Sequence, residues 1–117
     1  MIPLGLIPNG NANNLSILRR LSFALTGLPP TLDQQNLFIT LSKENIDIAI
    51  EKLTDEFLRS PQFGERWARH WMDWVRYADS HGSEGDPKIP NAFRYRNYLI
   101  RALNQDVSFD RLVLEHI

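Results

Sequence analysis

The sequence predicts an all-α fold of about five to six short helices in an irregular bundle, with one long loop near residues 79–90. Apolar residues recur at three- and four-residue steps along most of the chain. Prolines, glycines and helix-capping residues stand between these periodic segments. No segment alternates between apolar and polar residues as a half-buried strand does. We therefore expect a single helical domain over residues 15–117.

Residues 1–14 are predicted to form an irregular lead-in, because prolines, glycines and asparagines interrupt any helical period there. The apolar opening over residues 1–7 contains a proline and lacks a basic flank, so it does not fit a signal peptide. We expect any export signal to lie upstream. No part of the sequence approaches the roughly 20 apolar residues of a membrane span, so we expect no membrane insertion.

The first predicted helix begins at Leu15 and carries a stripe of leucines. Gly27 can adopt the left-handed backbone conformation that follows a helix end, and Pro29 and Pro30 prevent the helix from continuing. The stripe consists of Leu15, Leu18, Leu21, Leu25 and Leu28.

The remaining helices begin at recognisable capping signals. Each signal offers a side chain that can accept a hydrogen bond from a backbone N–H in the first turn of a helix. Between the fourth and fifth helices, residues 79–90 contain two glycines and two prolines, which favour a loop. The second helix is capped by Thr31 with Gln34 and ends near Leu41, and the third is capped by Asn45 and ends near Phe57. The fourth begins at Ser60 with Pro61 and ends near Tyr77 or Ala78. The fifth runs from the cap Asn91 to about Asn104, and the sixth from the cap Ser108 to Ile117.

Composition excludes several function classes. The chain carries 13 basic and 14 acidic side chains, which give a formal net charge of −1. This balance provides no long-range electrostatic field that would attract nucleic acid. The absence of cysteine rules out disulfides, thiolate zinc sites and covalent haem attachment within these residues. We therefore expect no cofactor in this fragment, and His70 or His116 could serve only as a non-covalent axial ligand of a haem.

Three tryptophans, Trp67, Trp71 and Trp74, fall on one face of the fourth predicted helix. Exposed, they would form a stacking platform for bases or sugars. Buried, they would belong to the core, because each removes on the order of 150–250 Å² from water. We favour the core interpretation.

A polar stripe borders this tryptophan face. It combines a histidine and an aspartate one turn apart, which could orient each other for acid–base catalysis or bind a metal. More often such a row is a structural hydrogen-bond network at the edge of a core, and this is the interpretation we favour. The predicted structural network comprises Arg66, His70, Asp73, Tyr77, Asp79 and Arg96.

The long loop concentrates carboxylates and an imidazole within eight residues, which are ligands suited to a cation and groups suited to acid–base chemistry. Candidate metal ligands are His81, Glu84 and Asp86. Candidate catalytic residues are Asp79, His81 and Asp86, together with His70. No established metal-binding spacing is present, so solvated surface charge is the competing interpretation.

Arg96 projects from the apolar arc of the fifth predicted helix. An unpaired buried charge is very costly, so this arginine must reach solvent or meet an acid. We expect Asp79 to be its partner, with Asp73 as second choice, in which case Arg96 clamps the loop to the core. If a ligand supplies the acid instead, Arg96 forms a fork for a carboxylate or phosphate.

Three motifs follow one another along the chain: residues 19–31, residues 60–71 with 76–80, and residues 91–96 with Asn104, Asp106, Phe109 and Asp110. In this order they resemble a family of unknown function that accompanies planctomycete-type cytochrome c domains in large exported bacterial proteins. Ala24 and Asn97 stand where the family pattern usually has aspartates.

The resemblance implies a periplasmic or secreted setting, with haem only on a neighbouring domain, and a chain truncated at its C-terminus. Other domains of the same polypeptide are the implied partners. We expect a helical interaction or scaffold module of a larger exported, cytochrome-associated protein. The alternative is part of an envelope enzyme, polysaccharide-linked or redox-linked, with an acid–base or metal site at the 79–90 loop. Whether the chain is an enzyme stays open at this stage.

Overall fold

The computed structural model describes Gly10 and residues 12–117, and most of the predicted lead-in lies outside these residues. The described part contains six α-helices and no sheet, so the all-α prediction is confirmed. An isolated β-bridge joins Ser80 and Lys88 within the long loop. The helices are α1 Asn14–Thr26, α2 Leu32–Ser42, α3 Ile46–Leu58, α4 Pro61–Trp74, α5 Phe93–Asn104 and α6 Phe109–Leu114.

The ends of α1 and the start of α2 follow the predicted local chemistry. Gly27 adopts a left-handed conformation with φ 74°, and its N–H donates to the Phe23 carbonyl at 3.1 Å. The Thr31 hydroxyl accepts from the Gln34 N–H at 3.2 Å, and the Gln34 side chain accepts from the Thr31 N–H at 2.8 Å. This reciprocal pair is the capping box that the sequence predicted.

Helix α4 ends at Trp74, earlier than the predicted Tyr77 or Ala78. Arg76 has φ 57°, a left-handed conformation that cannot continue a right-handed helix. The Tyr77 N–H then donates to the Met72 carbonyl at 2.9 Å, which closes a wide turn. The loop therefore leaves the helix almost a full turn sooner than expected.

Helix α5 begins at Phe93, and Asn91 does not cap it through its side chain as predicted. Asn91 has φ 64°, and its carbonyl accepts from the Arg94 N–H at 2.9 Å. Ser60 and Ser108 do occupy the N-cap positions of α4 and α6, but neither makes a side-chain capping bond. Ser60 and Ser108 therefore mark the helix starts without the expected side-chain hydrogen bonds, whereas Asn45 caps α3 through its side chain as predicted.

Two separate hydrophobic cores form. The first core lies among α1, α2 and α3, and the second lies among α4, α5 and α6; α1 also packs against α4. Burial of these side chains is the main favourable term for the fold. The first core contains Leu18, Phe38, Ala49, Leu53 and Phe57. The second core contains Ala68, Leu99, Ala102 and Leu112.

Asn104 fixes the packing of α4 against α5, the two helices that the long loop connects. Its side-chain oxygen accepts from the Gly64 N–H at 2.8 Å, and its side-chain nitrogen donates to the Pro61 carbonyl at 3.0 Å. Both partners lie in the first turn of α4, where backbone N–H groups lack helical acceptors. Asn104 therefore ties the end of α5 to the start of α4.

Several large apolar side chains of the described residues are exposed to solvent. They include Leu32 on α2, Trp74 on α4, and Phe109 and Leu114 on α6. No helix in the described part of the chain is long and apolar enough to cross a membrane.

Candidate functional site

A cleft of about 410 Å³ opens between the long loop and the start of α5. The loop contributes acidic, basic and hydroxyl side chains, and α5 contributes an arginine and an aromatic ring. This is the location at which the sequence placed a candidate site. The lining residues are Asp79, Ser80, Asp86, Lys88, Ile89, Ala92, Phe93 and Arg96.

Backbone hydrogen bonds join the two ends of the loop. The Ile89 N–H donates to the Asp79 carbonyl at 2.8 Å, and the His81 N–H donates to the Pro87 carbonyl at 3.2 Å. These bonds satisfy backbone groups that would otherwise depend on water. The chain thus leaves α4 and returns to nearly the same point, so that the two ends of the loop lie together beside α5.

Asp86 shapes the tip of the loop. Its carboxylate accepts from the Gly82 N–H at 2.9 Å, and its own N–H donates to the Ser83 carbonyl at 2.8 Å. The residue has φ 37°, a conformation that aspartate tolerates better than most residues. The Asp86 side chain therefore organises the loop as well as lining the cleft.

The predicted metal ligands do not converge. His81, Glu84 and Asp86 are all exposed, and His81 and Glu84 do not line the cleft. Over Gly10 and residues 12–117, no three histidine or carboxylate side chains are grouped so that they could hold a metal ion. The ligand set proposed for the loop is therefore not assembled: Asp86 alone of the three lines the cleft, and its carboxylate accepts from the Gly82 N–H.

Asp79 pairs with Tyr77 and not with Arg96. The Tyr77 hydroxyl donates a short hydrogen bond to the Asp79 carboxylate, and this bond raises the pKa of Tyr77. In the described part of the chain, the ion pairs are Asp55–Arg59 and Arg111–Glu115, both exposed. The predicted clamp from Arg96 to Asp79, or to Asp73, is thus not formed. Arg96 lies half-buried in the cleft wall.

The rest of the predicted polar network is also dispersed. The aliphatic stem of Arg66 packs against Gly27, at 3.2 Å from the position of a Cβ there, and the buried Nε of Arg66 has no hydrogen-bond partner. The His70 ring meets the Trp67 ring edge-on, with centroids 5.3 Å apart. Asp73 is exposed. These side chains pack individually and do not form a continuous hydrogen-bonded row.

The tryptophan face is not a buried core. Trp71 is half-buried, but Trp67 is 39% exposed and Trp74 is 73% exposed. From α4, Ala68 is the buried member of the second core, and Trp71 and Met72 pack against that core. Trp74, the last residue of the helix, is not among the side chains that pack there. The core interpretation was therefore wrong for Trp74.

A hydrogen-bonded aromatic cluster forms around His116, which sequence reasoning considered only as a haem ligand. His116 Nδ1 lies 2.6 Å from the Leu112 carbonyl, which is only an acceptor, so Nδ1 carries the proton. Nε2 then accepts from the Tyr95 hydroxyl at 2.6 Å and from the Trp71 indole N–H at 3.2 Å. Both ring nitrogens are occupied, which argues against His116 as an axial ligand.

Tyr98, next to this cluster, donates a short hydrogen bond to the Glu115 carboxylate. Arg111 also binds Glu115, at 2.9 Å. The bond to Glu115 raises the pKa of Tyr98 to about 12, and the bonds from Tyr98 and Arg111 lower the pKa of Glu115. Burial raises the pKa of Tyr95.

We expect the three tyrosines to ionise above their ordinary pKa of 10.0, and Tyr98 to do so at about 12. A phenol whose pKa is higher in the folded than in the unfolded state adds to the free energy of unfolding below pH about 10. That stabilisation is lost as the pH rises through the pKa of the phenol in the folded state. Glu115→Gln should return the Tyr98 pKa towards 10 and leave Tyr77 unchanged. Absorbance titration of the phenolates checks this; an unchanged titration curve in the variant would contradict it.

Comparison with known proteins identifies a family that this chain matches. The family model described as PSCyt2, protein of unknown function (DUF1549), matches residues 3–117. The match covers nearly the whole chain, so the chain belongs to this family, in agreement with the resemblance of its three motifs. No curated protein and no solved structure matches the chain.

Proposed function

We propose that this member of the PSCyt2 family is a helical interaction module whose aromatic face packs against another domain of the same polypeptide. The aromatic face consists of Trp71, Trp74 and Phe109. One observation carries the proposal: Trp74 and Phe109 are 73% and 69% exposed, and both adjoin Trp71, with centroids 5.9 and 6.0 Å away.

Exposed aromatic side chains that touch one another are a feature of protein interfaces. Tryptophan and phenylalanine are enriched at interface centres, where each removes a large area from water. The half-buried Trp71 is held in place by its hydrogen bond to His116, so the centre of the face is ordered before a partner binds. Little side-chain ordering then opposes association.

A further exposed apolar residue on the same short helix as Phe109 supports the proposal. Leu114, at the end of α6, is 71% exposed. Exposed apolar side chains that lie together mark interaction surfaces more often than isolated ones do.

The setting that we propose is a larger exported protein that also carries a cytochrome c domain, in the periplasm or outside the cell. The name PSCyt2 is consistent with a cytochrome association. The domain itself supplies no haem ligand in this proposal. Its role is to hold neighbouring domains in a fixed arrangement.

The enzyme alternative has less support. His81, one of its acid–base candidates, does not line the cleft. The carboxylates of Asp79 and Asp86 do line it, and they accept hydrogen bonds from Tyr77 and from Gly82. A general acid or base must reach the substrate proton directly or through one water, and among the described residues no histidine lines the cleft beside these carboxylates.

The test places a photo-crosslinking amino acid at position 74 of the parent polypeptide. We expect irradiation to give intramolecular cross-links between position 74 and a segment outside residues 1–117, mapped by mass spectrometry. The matched control is position 32, because Leu32 is 71% exposed but lies on α2, away from the aromatic face. Position 32 should give few such cross-links.

Two results would contradict the proposal. The first is equal labelling from positions 74 and 32, which would mean that the aromatic face contacts nothing specific. The second is quenching of Trp74 fluorescence by a soluble quencher to the same extent in the parent polypeptide and in the separate chain. The fluorescence of the Trp74→Phe variant is subtracted from that of the unaltered protein, and the difference is the Trp74 signal.

A further inference from the structure

We infer that the cleft between the long loop and α5 binds a small zwitterion, a molecule of amino-acid size that carries both a carboxylate and an ammonium group. This inference is independent of the interaction module proposed above, because the cleft and the aromatic face use different residues. The cleft residues that carry the argument are Asp79, Asp86, Lys88 and Arg96.

The charge pattern of the cleft sets the ligand class. Two carboxylates and two cations line one space of about 410 Å³. The best electrostatic complement to such a surface carries one group of each sign, because a simple anion would meet two carboxylates and a simple cation would meet two basic groups. An amino-acid zwitterion satisfies this requirement.

The cations of the cleft have no acceptor of their own. Arg96 and Lys88 take part in neither of the ion pairs that the described residues form, and neither side chain has a hydrogen-bond partner among them. Arg96 is half-buried as a residue, and no acid of the described residues forms an ion pair with its guanidinium. A ligand carboxylate would supply two parallel hydrogen bonds to that planar fork.

The carboxylates of the cleft are oriented but not saturated. One oxygen of Asp79 accepts from the Tyr77 hydroxyl, and one oxygen of Asp86 accepts from the Gly82 N–H. An ionised carboxylate has two oxygens and about four lone-pair directions, so each group keeps acceptor capacity. An ammonium group, which donates three hydrogen bonds, matches that capacity.

The apolar part of the cleft favours a ligand with a hydrocarbon side chain. Ile89, Ala92 and Phe93 line it, and Phe93 is 48% exposed. Small-molecule sites are clefts of roughly 300–1,000 Å³ that combine apolar walls with a few polar groups. The cleft, at about 410 Å³, falls at the lower end of this range and suits a single amino acid better than a peptide.

The experiment titrates the isotope-labelled chain with L-leucine and follows backbone amide shifts by NMR. We expect saturable shifts confined to residues 79–96. N-acetyl-L-leucine removes the ammonium charge and L-leucinamide removes the carboxylate, so each should bind at least about tenfold more weakly. Equal binding of all three compounds, or shifts outside residues 79–96, would overturn the inference.

Two variants of α5 provide a matched pair. Arg96→Gln removes the guanidinium from the cleft and should weaken leucine binding about tenfold or more. Arg94→Gln removes an exposed arginine two residues away that does not line the cleft, and binding should stay within about twofold. If Arg96→Gln binds leucine as tightly as the unaltered chain does, the inference fails.

A third variant tests the same inference at a residue whose substitution should not disturb the fold. Lys88→Gln alters an exposed side chain without a hydrogen bond in the described structure, so the fold should be unaffected. It should weaken leucine binding several-fold and leave L-leucinamide binding unchanged, because the lost charge faces the ligand carboxylate. Unchanged leucine binding in this variant would show that the carboxylate does not lie in the cleft.

Discussion

Gly64→Ala is expected to lower the free energy of unfolding by about 3 kcal/mol or more. A Cβ at Gly64 would lie 2.5 Å from the carbonyl oxygen of Ile100 and 2.6 Å from the side-chain oxygen of Asn104. The first obstacle is the backbone of α5, which cannot move without disturbing the helix. The second is the group that accepts the Gly64 N–H at 2.8 Å. Alanine would therefore separate α4 from α5.

Urea unfolding followed by far-UV circular dichroism measures this loss. Gly10→Ala is the control, because a Cβ at Gly10 would meet nothing within 4 Å. We expect the control to change the free energy of unfolding by less than about 0.5 kcal/mol. A Gly64→Ala chain as stable as the control would show that α4 and α5 can separate without cost, and the helix packing described here would be wrong.

Local chemistry explains what the sequence predicted well. The end of α1 at Gly27 and the capping box at Thr31 depend on residues within one turn, so sequence alone was sufficient. The end of α4 was missed because Arg76 adopts φ 57°, a conformation that arginine does not favour by itself. The turn that ends the helix is local, with the Tyr77 N–H bonded to the Met72 carbonyl, but such turns usually carry glycine at the left-handed position, so arginine there gave no signal.

The tryptophans show a second limit of sequence reasoning. Helical spacing correctly placed Trp67, Trp71 and Trp74 on one face, but it could not tell which elements cover that face. Trp71 is partly covered by His116 and Phe109 from the end of the chain. Trp67 contacts Phe63 and His70 of its own helix and is 39% exposed, whereas Trp74 is 73% exposed. The assumption that large apolar side chains are buried fails where a fold leaves a surface for another domain.

The cleft was predicted in part. Asp79, Asp86 and Arg96 were recognised because charged residues in a glycine-hinged loop or an apolar arc are unusual. Lys88 and Phe93 were missed, since their position depends on the hydrogen bonds that close the loop and on the late start of α5. The ion pair expected between Arg96 and Asp79 is not formed; Asp79 accepts a hydrogen bond from Tyr77.

Phe38→Ala is expected to lower the free energy of unfolding by about 3–5 kcal/mol. Phe38 lies on α2, is 0% exposed and is among the largest fully buried side chains of the first core. Truncation removes its transfer free energy and leaves a cavity that α1 and α3 cannot close completely. Leu32→Ala, on the same helix but 71% exposed, should cost less than about 1 kcal/mol.

The same variant decides whether the two cores unfold together. All three tryptophans lie on α4, beside the second core, so their fluorescence reports on the core that Phe38 does not touch. We expect fluorescence and circular dichroism to shift to one common lower midpoint, because α1 packs against α4 as well as α2 and α3, and Gly27 contacts the Arg66 stem. A fluorescence midpoint that stays in place while the circular dichroism midpoint falls would instead make α4, α5 and α6 an independent unit, and the interaction surface and the cleft would then belong to that unit alone.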